Sequence, residues 1–248
     1  MDICVIGSGN VAYHLTQAFR QHSENYCNTV VDCINPRTLE NLPDSADVYL
    51  IAVSDRAIES VANRMRDVNG IVAHTSGSVN IEVLNGIGSA QGVFYPLQTF
   101  SKDSAIDYSG IPVFVEGSDP MAVESLKKTA GLFTGKIFTA DSKLRSQLHL
   151  AAVFACNFTN RLFDIADTLL RQSGLDLDVV MPLIRQTIEK IEKLPPHLSQ
   201  TGPAQRGDLS ICRKHLDMLA DNKEFQRIYA IMTESIMKDH NKLQENGF

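Results

Sequence analysis

The 248-residue chain is 44% hydrophobic, which supports one large domain or two ordinary ones with buried cores; its net charge of −6, with scattered Lys and Arg, argues against a nucleic-acid partner. Five cysteines (Cys4, Cys27, Cys33, Cys156, Cys212) lack C-x-x-C spacing and fall mostly in apolar runs, so they read as buried thiols of a reducing compartment, and no metal site is expected. No basic and apolar leader opens the chain and no apolar run reaches the ~18 residues of a membrane span, so the expected location is cytoplasmic, with no membrane partner.

Residues 2–6 read as the first strand and 10–22 as the first helix. Gly7-Ser8-Gly9-Asn10-Val11-Ala12 joins them, which is the context a G-x-G-x-x-A dinucleotide fingerprint requires. Gly7 permits a tight turn, Gly9 lets a pyrophosphate approach the backbone, and small Ala12 lets the helix pack on the strand. Ser8, Asn10 and Val11 complete the loop, whose free N–H groups at the helix start suit an anion. The bland alternative is a glycine turn with no ligand.

The second strand, 29–34, decides the cofactor. An acidic residue at its end would hydrogen-bond the 2′-OH of NAD and repel the 2′-phosphate of NADP. Here the strand runs into Asn35-Pro36-Arg37-Thr38, neutral and then basic, and the planar fork of Arg37 suits a phosphate. Asp32, slightly early, is the competing carboxylate for NAD. The balance favours NADP, with Asn35 as a neutral hydrogen-bonding neighbour.

A third strand at 48–53 lies in a nearly continuous apolar run from Ala46 and belongs at the centre of a sheet. At its carboxyl end Val53 and Ser54 are expected to line the cofactor, with Asp55 as a helix cap. A helix at 55–67 and a strand at 71–74 follow, the strand ending in His74-Thr75-Ser76-Gly77-Ser78. His74 is a candidate acid or base or else a buried, backbone-satisfied imidazole; Ser76 is a candidate to hold the cofactor rather than a nucleophile. Strands at 92–95, 112–115 and 136–139 and a helix at 120–133 complete an α/β, Rossmann-like, doubly wound and mainly parallel sheet.

After Asp141 the pattern is helical: 143–172 as one long helix, then 176–193, 205–219 and 222–245. The expected domains are therefore 1–140, binding dinucleotide, and 141–248, all-helical and serving substrate and dimerisation. At about 100° per residue His149, Asn157 and Asn160 fall within about 80° of one another, on a helix apolar nearly all round. An imidazole with carboxamides on one stripe would orient a carbonyl or hydroxyl and exchange its proton; a helix-to-helix hydrogen-bond network is the alternative. Lys143 could reach the same crevice or be a solvated lysine. In Thr201-Gly202-Pro203-Ala204-Gln205-Arg206-Gly207-Asp208, Asp208 reads as a cap, and Arg206 as its partner or as a clamp on an anionic substrate.

The stretches GSGNVA at 7–12, ADVYLIAVSDRAI at 46–58, HTSGS at 74–78, YPLQTFS at 95–101, LHLAAVFACN at 148–157 and TGPAQRGD at 201–208 resemble an uncharacterised Rossmann-like oxidoreductase family with a helical C-terminal domain of unknown function. Its relatives are the 6-phosphogluconate and β-hydroxyacid dehydrogenases and the pyrroline-carboxylate reductases. The resemblance implies NADP, an interlocked helical dimer and a small-molecule reductase or dehydrogenase, without naming a substrate. Two positions depart from the pattern. Tyr95 stands where many members have His, which puts a proton role there in doubt, and His149 stands nearest the lysine of the sugar-acid relatives. The expected reaction is hydride transfer between nicotinamide and a small carbonyl or imine held between the domains, with His149 exchanging the proton. A non-catalytic NADP(H) sensor is the competing reading.

Overall fold

The computed structural model describes residues 1–23 and 30–245, with backbone alone at 22–23, 30–32 and 240–245. Cys27 and Thr29 lie outside the described residues, as does the side chain of Asp32. In chain order the elements are β1 (Asp2–Ile6), α1 (Asn10–Ser23), β2 (Val30–Ile34), β3 (Ser45–Ile51), α2 (Ile58–Ala62), β4 (Asn69–His74), β5 (Ala90–Pro96), β6 (Val113–Gly117), α3 (Pro120–Ala130) and β7 (Ile137–Thr139). There follow α4 (Ser142–Ala152), a π-helical segment (Val153–Phe158), α5 (Thr159–Arg171), α6 (Met181–Lys193), the single turn α7 (Pro196–Ser199), α8 (Leu209–Met218) and α9 (Lys223–Glu245).

The strands form one sheet in the order β2-β1-β3-β4-β5-β6-β7, parallel except where β6 runs against β5. Side chains alternate faces along each strand, and here both faces are covered. Ile3, Val5, Val48 and Leu50 pack with Leu15 and Phe19 of α1 and Leu126 of α3, whereas Cys4, Ile6, Tyr49 and Ile51 pack with Ile58, Val61 and Ala62 of α2. This double burial is why the expected strands of the first half read as apolar runs, and the fold is the Rossmann-like one they predicted. The chain leaves β1 toward β2 on one side and returns to β3 on the other. The strand order therefore reverses between the carboxyl ends of β1 and β3, the position at which open α/β sheets bind ligands.

Several boundaries differ from expectation. The helix expected over 55–67 is a 3₁₀ turn at Asp55–Ala57 followed by the short α2. The expected helix over 143–172 is interrupted by the π-helical segment. By contact the chain divides into two compact units, Met1–Phe158 and Thr159–Phe248, so α4 and the π segment belong with the sheet although strands end at Thr139. Cys4 and Cys212 are buried, but Cys33 and Cys156 are exposed, because one lies near the end of an edge strand and the other in the π segment; Cys33, Cys156 and Cys212 are free thiols. Among the described residues no helix is long and apolar enough to cross a membrane.

Candidate functional site

At the point where the strand order reverses, a cleft of about 630 Å³ lies between the loop after β1 (Ser8, Gly9, Asn10, Val11), the segment after β3 (Val53, Ser54) and the basic side chains Arg37 and Arg64. Its size is that of small-molecule and cofactor sites, roughly 300–1,000 Å³. The two glycines do different work. A Cβ on Gly7 would lie 2.2 Å from Ala52 O and 2.8 Å from Ala12 Cβ, so Gly7 and Ala12 let β1, β3 and α1 close on one another. A Cβ on Gly9 would meet no atom within 4 Å, leaving its backbone open to the cleft. Asn10 is already used: its Nδ2 donates to Phe100 O at 2.9 Å, and Lys102 donates to Ser8 O at 3.0 Å, so the segment after β5 is fastened across the glycine loop.

Beyond β2, Asn35 Oδ1 accepts from Arg37 N at 2.9 Å, an Asx turn that sets the loop. Arg64, which follows α2, donates to Arg37 O and Thr38 O, both at 2.9 Å, and to Pro36 O at 3.3 Å. Two guanidinium groups thus meet at this end of the cleft. Nothing in the sequence marked Arg64, because its partners are carbonyls nearly thirty residues away. Gly7, Ser8, Asn35 and Arg37 also border an adjoining space of about 430 Å³. The residues present fit a dinucleotide: a glycine backbone left open, a helix N-terminus for phosphate, and arginines at the end where a 2′-phosphate would lie.

A second cleft of about 310 Å³ shares Val11 with the first and is lined by Thr75, Tyr95, Gln98, His149, Cys156 and Asn157, among others. Tyr95 Oη and His149 Nδ1 stand 3.1 Å apart, with their rings edge to face. Tyr95, whose proton role the sequence had put in doubt, is therefore the direct partner of the expected proton-exchanging residue. Burial pushes its phenol above the ordinary value, opposed by Arg145 and reinforced by Asp55, so it is a hydroxyl donor at neutral pH. His149 and Asn157 do meet in one cleft; Asn160 belongs to the other compact unit. The helix expected to be buried nearly all round is open on one side, with Leu150, Phe154 and Phe158 exposed, because nothing in the described chain covers them.

Other expected site residues are placed elsewhere. His74 is fully buried at the end of β4, with Nδ1 accepting from Ser76 N at 3.2 Å and Nε2 lacking a hydrogen-bond partner among the described residues. Burial first and the Arg145 charge second lower its pKa to about 4, against smaller opposing effects of the Asn80 backbone and Asp55, so the ring is neutral. Ser76 is buried and accepts from Ser78 N and Val79 N, both at 3.1 Å, which holds a turn. Lys143 is exposed on the first turn of α4; neither cleft is lined by His74, Ser76 or Lys143. Asp55, expected only as a cap, instead accepts from Ser78 Oγ at 2.6 Å and ties the loops after β3 and β4. In the second unit Asp208 does cap α8, and no ion pair joins it to the exposed Arg206 among the described residues.

The family described as a domain of unknown function, DUF2520, matches residues 111–236, just over half of the chain. The chain belongs to the DUF2520 family. A solved structure from Bacteroides fragilis, described as a "putative NADP oxidoreductase", is 33% identical to this DUF2520 chain, with 96% of this chain and 98% of that one covered and a TM-score of 0.82. A Thermotoga maritima protein is 22% identical over 98% and 99% of the two chains, with a TM-score of 0.72. An imine reductase from Streptomyces aurantiacus has the same fold at 13% identity, over 98% and 99%, with a TM-score of 0.63. No curated protein matches the DUF2520 chain.

Proposed function

We propose that this DUF2520 chain is an NADP-dependent oxidoreductase in which hydride moves between nicotinamide and a small carbonyl or imine, with His149 as proton donor or acceptor. The observation that carries the reading is the Tyr95–His149 hydrogen bond, in a cleft that shares Val11 with the glycine-loop cleft. The Bacteroides fragilis relative and the imine reductase support the class of reaction.

The bound dinucleotide supplies or accepts the hydride. The chain's own residues hold it and manage the proton. Gly9 and the start of α1 receive the pyrophosphate, and Arg37 with Arg64 receives the 2′-phosphate. When Tyr95 donates to Nδ1, the neutral imidazole carries its proton on Nε2. In reduction Nε2 gives that proton to the substrate oxygen or nitrogen as hydride reaches carbon, while Nδ1 takes the Tyr95 hydroxyl proton, so the imidazole stays neutral and Tyr95 is left as phenolate; in oxidation the same relay runs in reverse. Thr75, Gln98 and Asn157 offer hydrogen bonds that orient the substrate.

A homodimer built through the helical segment, in a cytoplasmic setting, belongs to the same reading. It is supported by the apolar side chains left open there and by the free thiols Cys33, Cys156 and Cys212.

The test is stereospecific transfer of deuterium from NADPH labelled at C4 to a panel of carbonyls and imines. His149→Ala is expected to lower turnover by roughly 10²- to 10⁴-fold, the usual worth of a general acid or base, with NADPH still bound. Undiminished turnover in the variant would remove the proton role. Tight NADPH binding without oxidation across the panel would favour a non-catalytic sensor.

A further inference from the structure

Arg145, on α4, is among the largest fully buried side chains of the described residues, at 1% exposure. Its Nε donates to Ser76 O at 3.2 Å, its Nη2 to Val79 O and to Ser142 Oγ, and its Nη1 pairs with Glu116 of β6. Glu116 also accepts from Ser142 N at 3.0 Å and from Ser142 Oγ at the start of α4. The proposed chemistry uses none of these groups. A buried guanidinium is costly unless its charge is paired and its N–H groups are occupied, so a cluster this fully bonded has one stable arrangement.

That arrangement joins α4, β6 and the loop after β4. Arg145 precedes His149 by four residues, which puts both on one face of α4. The two carbonyls it grips, Ser76 O and Val79 O, flank Gly77. Gly77 is where backbone touches the reactive pair: a Cβ there would lie 2.6 Å from Tyr95 Cζ and 2.8 Å from His149 Nδ1.

We propose that Arg145 is a positioning residue, which locks α4 and the 76–79 loop in the one register where the His149 imidazole meets the Tyr95 hydroxyl. The charged or titratable groups acting on Tyr95 are Arg145, Asp55 and the hydrogen-bonded His149, and Glu116 balances Arg145. The kinetic consequence rests on the proposed reaction; the hydrogen bond itself does not.

The experiment combines Arg145→Lys, which keeps the charge but loses the fork, with Gly77→Ala, which leaves the ion pair intact but pushes a methyl group at the Tyr95–His149 contact. The readouts are the ¹⁵N shift of His149 Nδ1, turnover and NADPH affinity in the full chain. Both variants are expected to move the Nδ1 resonance toward its position in Tyr95→Phe, which lacks the bond. Turnover is expected to fall roughly 10- to 100-fold, as for a misplaced catalytic group. NADPH affinity is expected to stay within about twofold, since neither Arg145 nor Gly77 lines the glycine-loop cleft. An unmoved Nδ1 resonance in folded Arg145→Lys, or in Gly77→Ala, would overturn the proposal. Should Arg145→Lys fail to fold, Glu116→Gln takes its place: it keeps a partner for Nη1 and must also move Nδ1. If no variant or wild-type sample binds NADPH while Nδ1 still responds, the function reading fails and the positioning role stands.

Discussion

His74 ends a buried strand with its ring at 0% exposure, and that burial has a thermodynamic consequence. Its folded pKa is about 4, below the ordinary 6.5, so between those values the unfolded chain takes up a proton that the native state refuses. Its contribution to stability is therefore complete above pH 6.5 and is lost as pH falls toward 4. Between pH 7 and pH 5 this amounts to about 2 kcal/mol, one proton over roughly 1.5 pH units. Urea unfolding at the two pH values is expected to show that loss in wild type and to show it smaller by about that amount in His74→Gln; equal losses would mean that the ring is not held neutral. The sequence left His74 open between site and core, because a β4 ending in imidazole reads the same either way. The structure buries it and places it in the lining of neither cleft. Gly7, Gly9 and Arg37 were legible as residues bordering a cleft because the glycine turn and the loop after β2 are local. Tyr95 and Arg145 were harder, since a phenol at the end of β5 and a guanidinium on α4 gain meaning from partners on other elements: His149 for Tyr95, and Glu116, Ser76 and Val79 for Arg145.

The strands of the first half were readable from their apolar runs, and the βαβ unit from its glycines. The helical half was less so. A continuous helix was expected from 143 to 172, and the chain is indeed helical from 142 to 171, but with a wider π turn at Val153–Phe158. No residue type announces such a turn, which often accompanies functional sites. It begins one turn after His149 and contributes Val153, Cys156 and Asn157 to the second cleft. The helices after it are strongly two-sided, yet α5 and α6 hold no buried residue, and Leu183 on α6 is 67% exposed. Apolar faces this extensive call for a covering surface. A second copy of the chain is the proposed one. Sedimentation at micromolar concentration is expected to give twice the chain mass of 27.4 kDa; a monomer at that concentration would contradict it.

For the whole molecule, the order of strands brings the glycine loop, Ser54 and Arg37 to one edge and places the Tyr95–His149 cleft beside them, with Val11 common to both. That juxtaposition was only half legible. The change from strands to helices at 140/141 could be read from pattern, but contacts carry α4 and the π segment into the first unit, because Arg145 and Ser142 are bonded to β6 and to the loop after β4. Hydrogen bonds of this kind leave no periodic signature in sequence. The proposed oxidoreductase function stands on the dinucleotide, and its most direct test is a fluorescence titration of the full chain with NADPH and with NADH. NADPH is expected to bind at least roughly tenfold more tightly, and Arg37→Ala to erase most of that difference, as loss of a charged hydrogen bond worth about 1.5–3 kcal/mol requires. Equal affinities for the two nucleotides, or binding of neither, would contradict it.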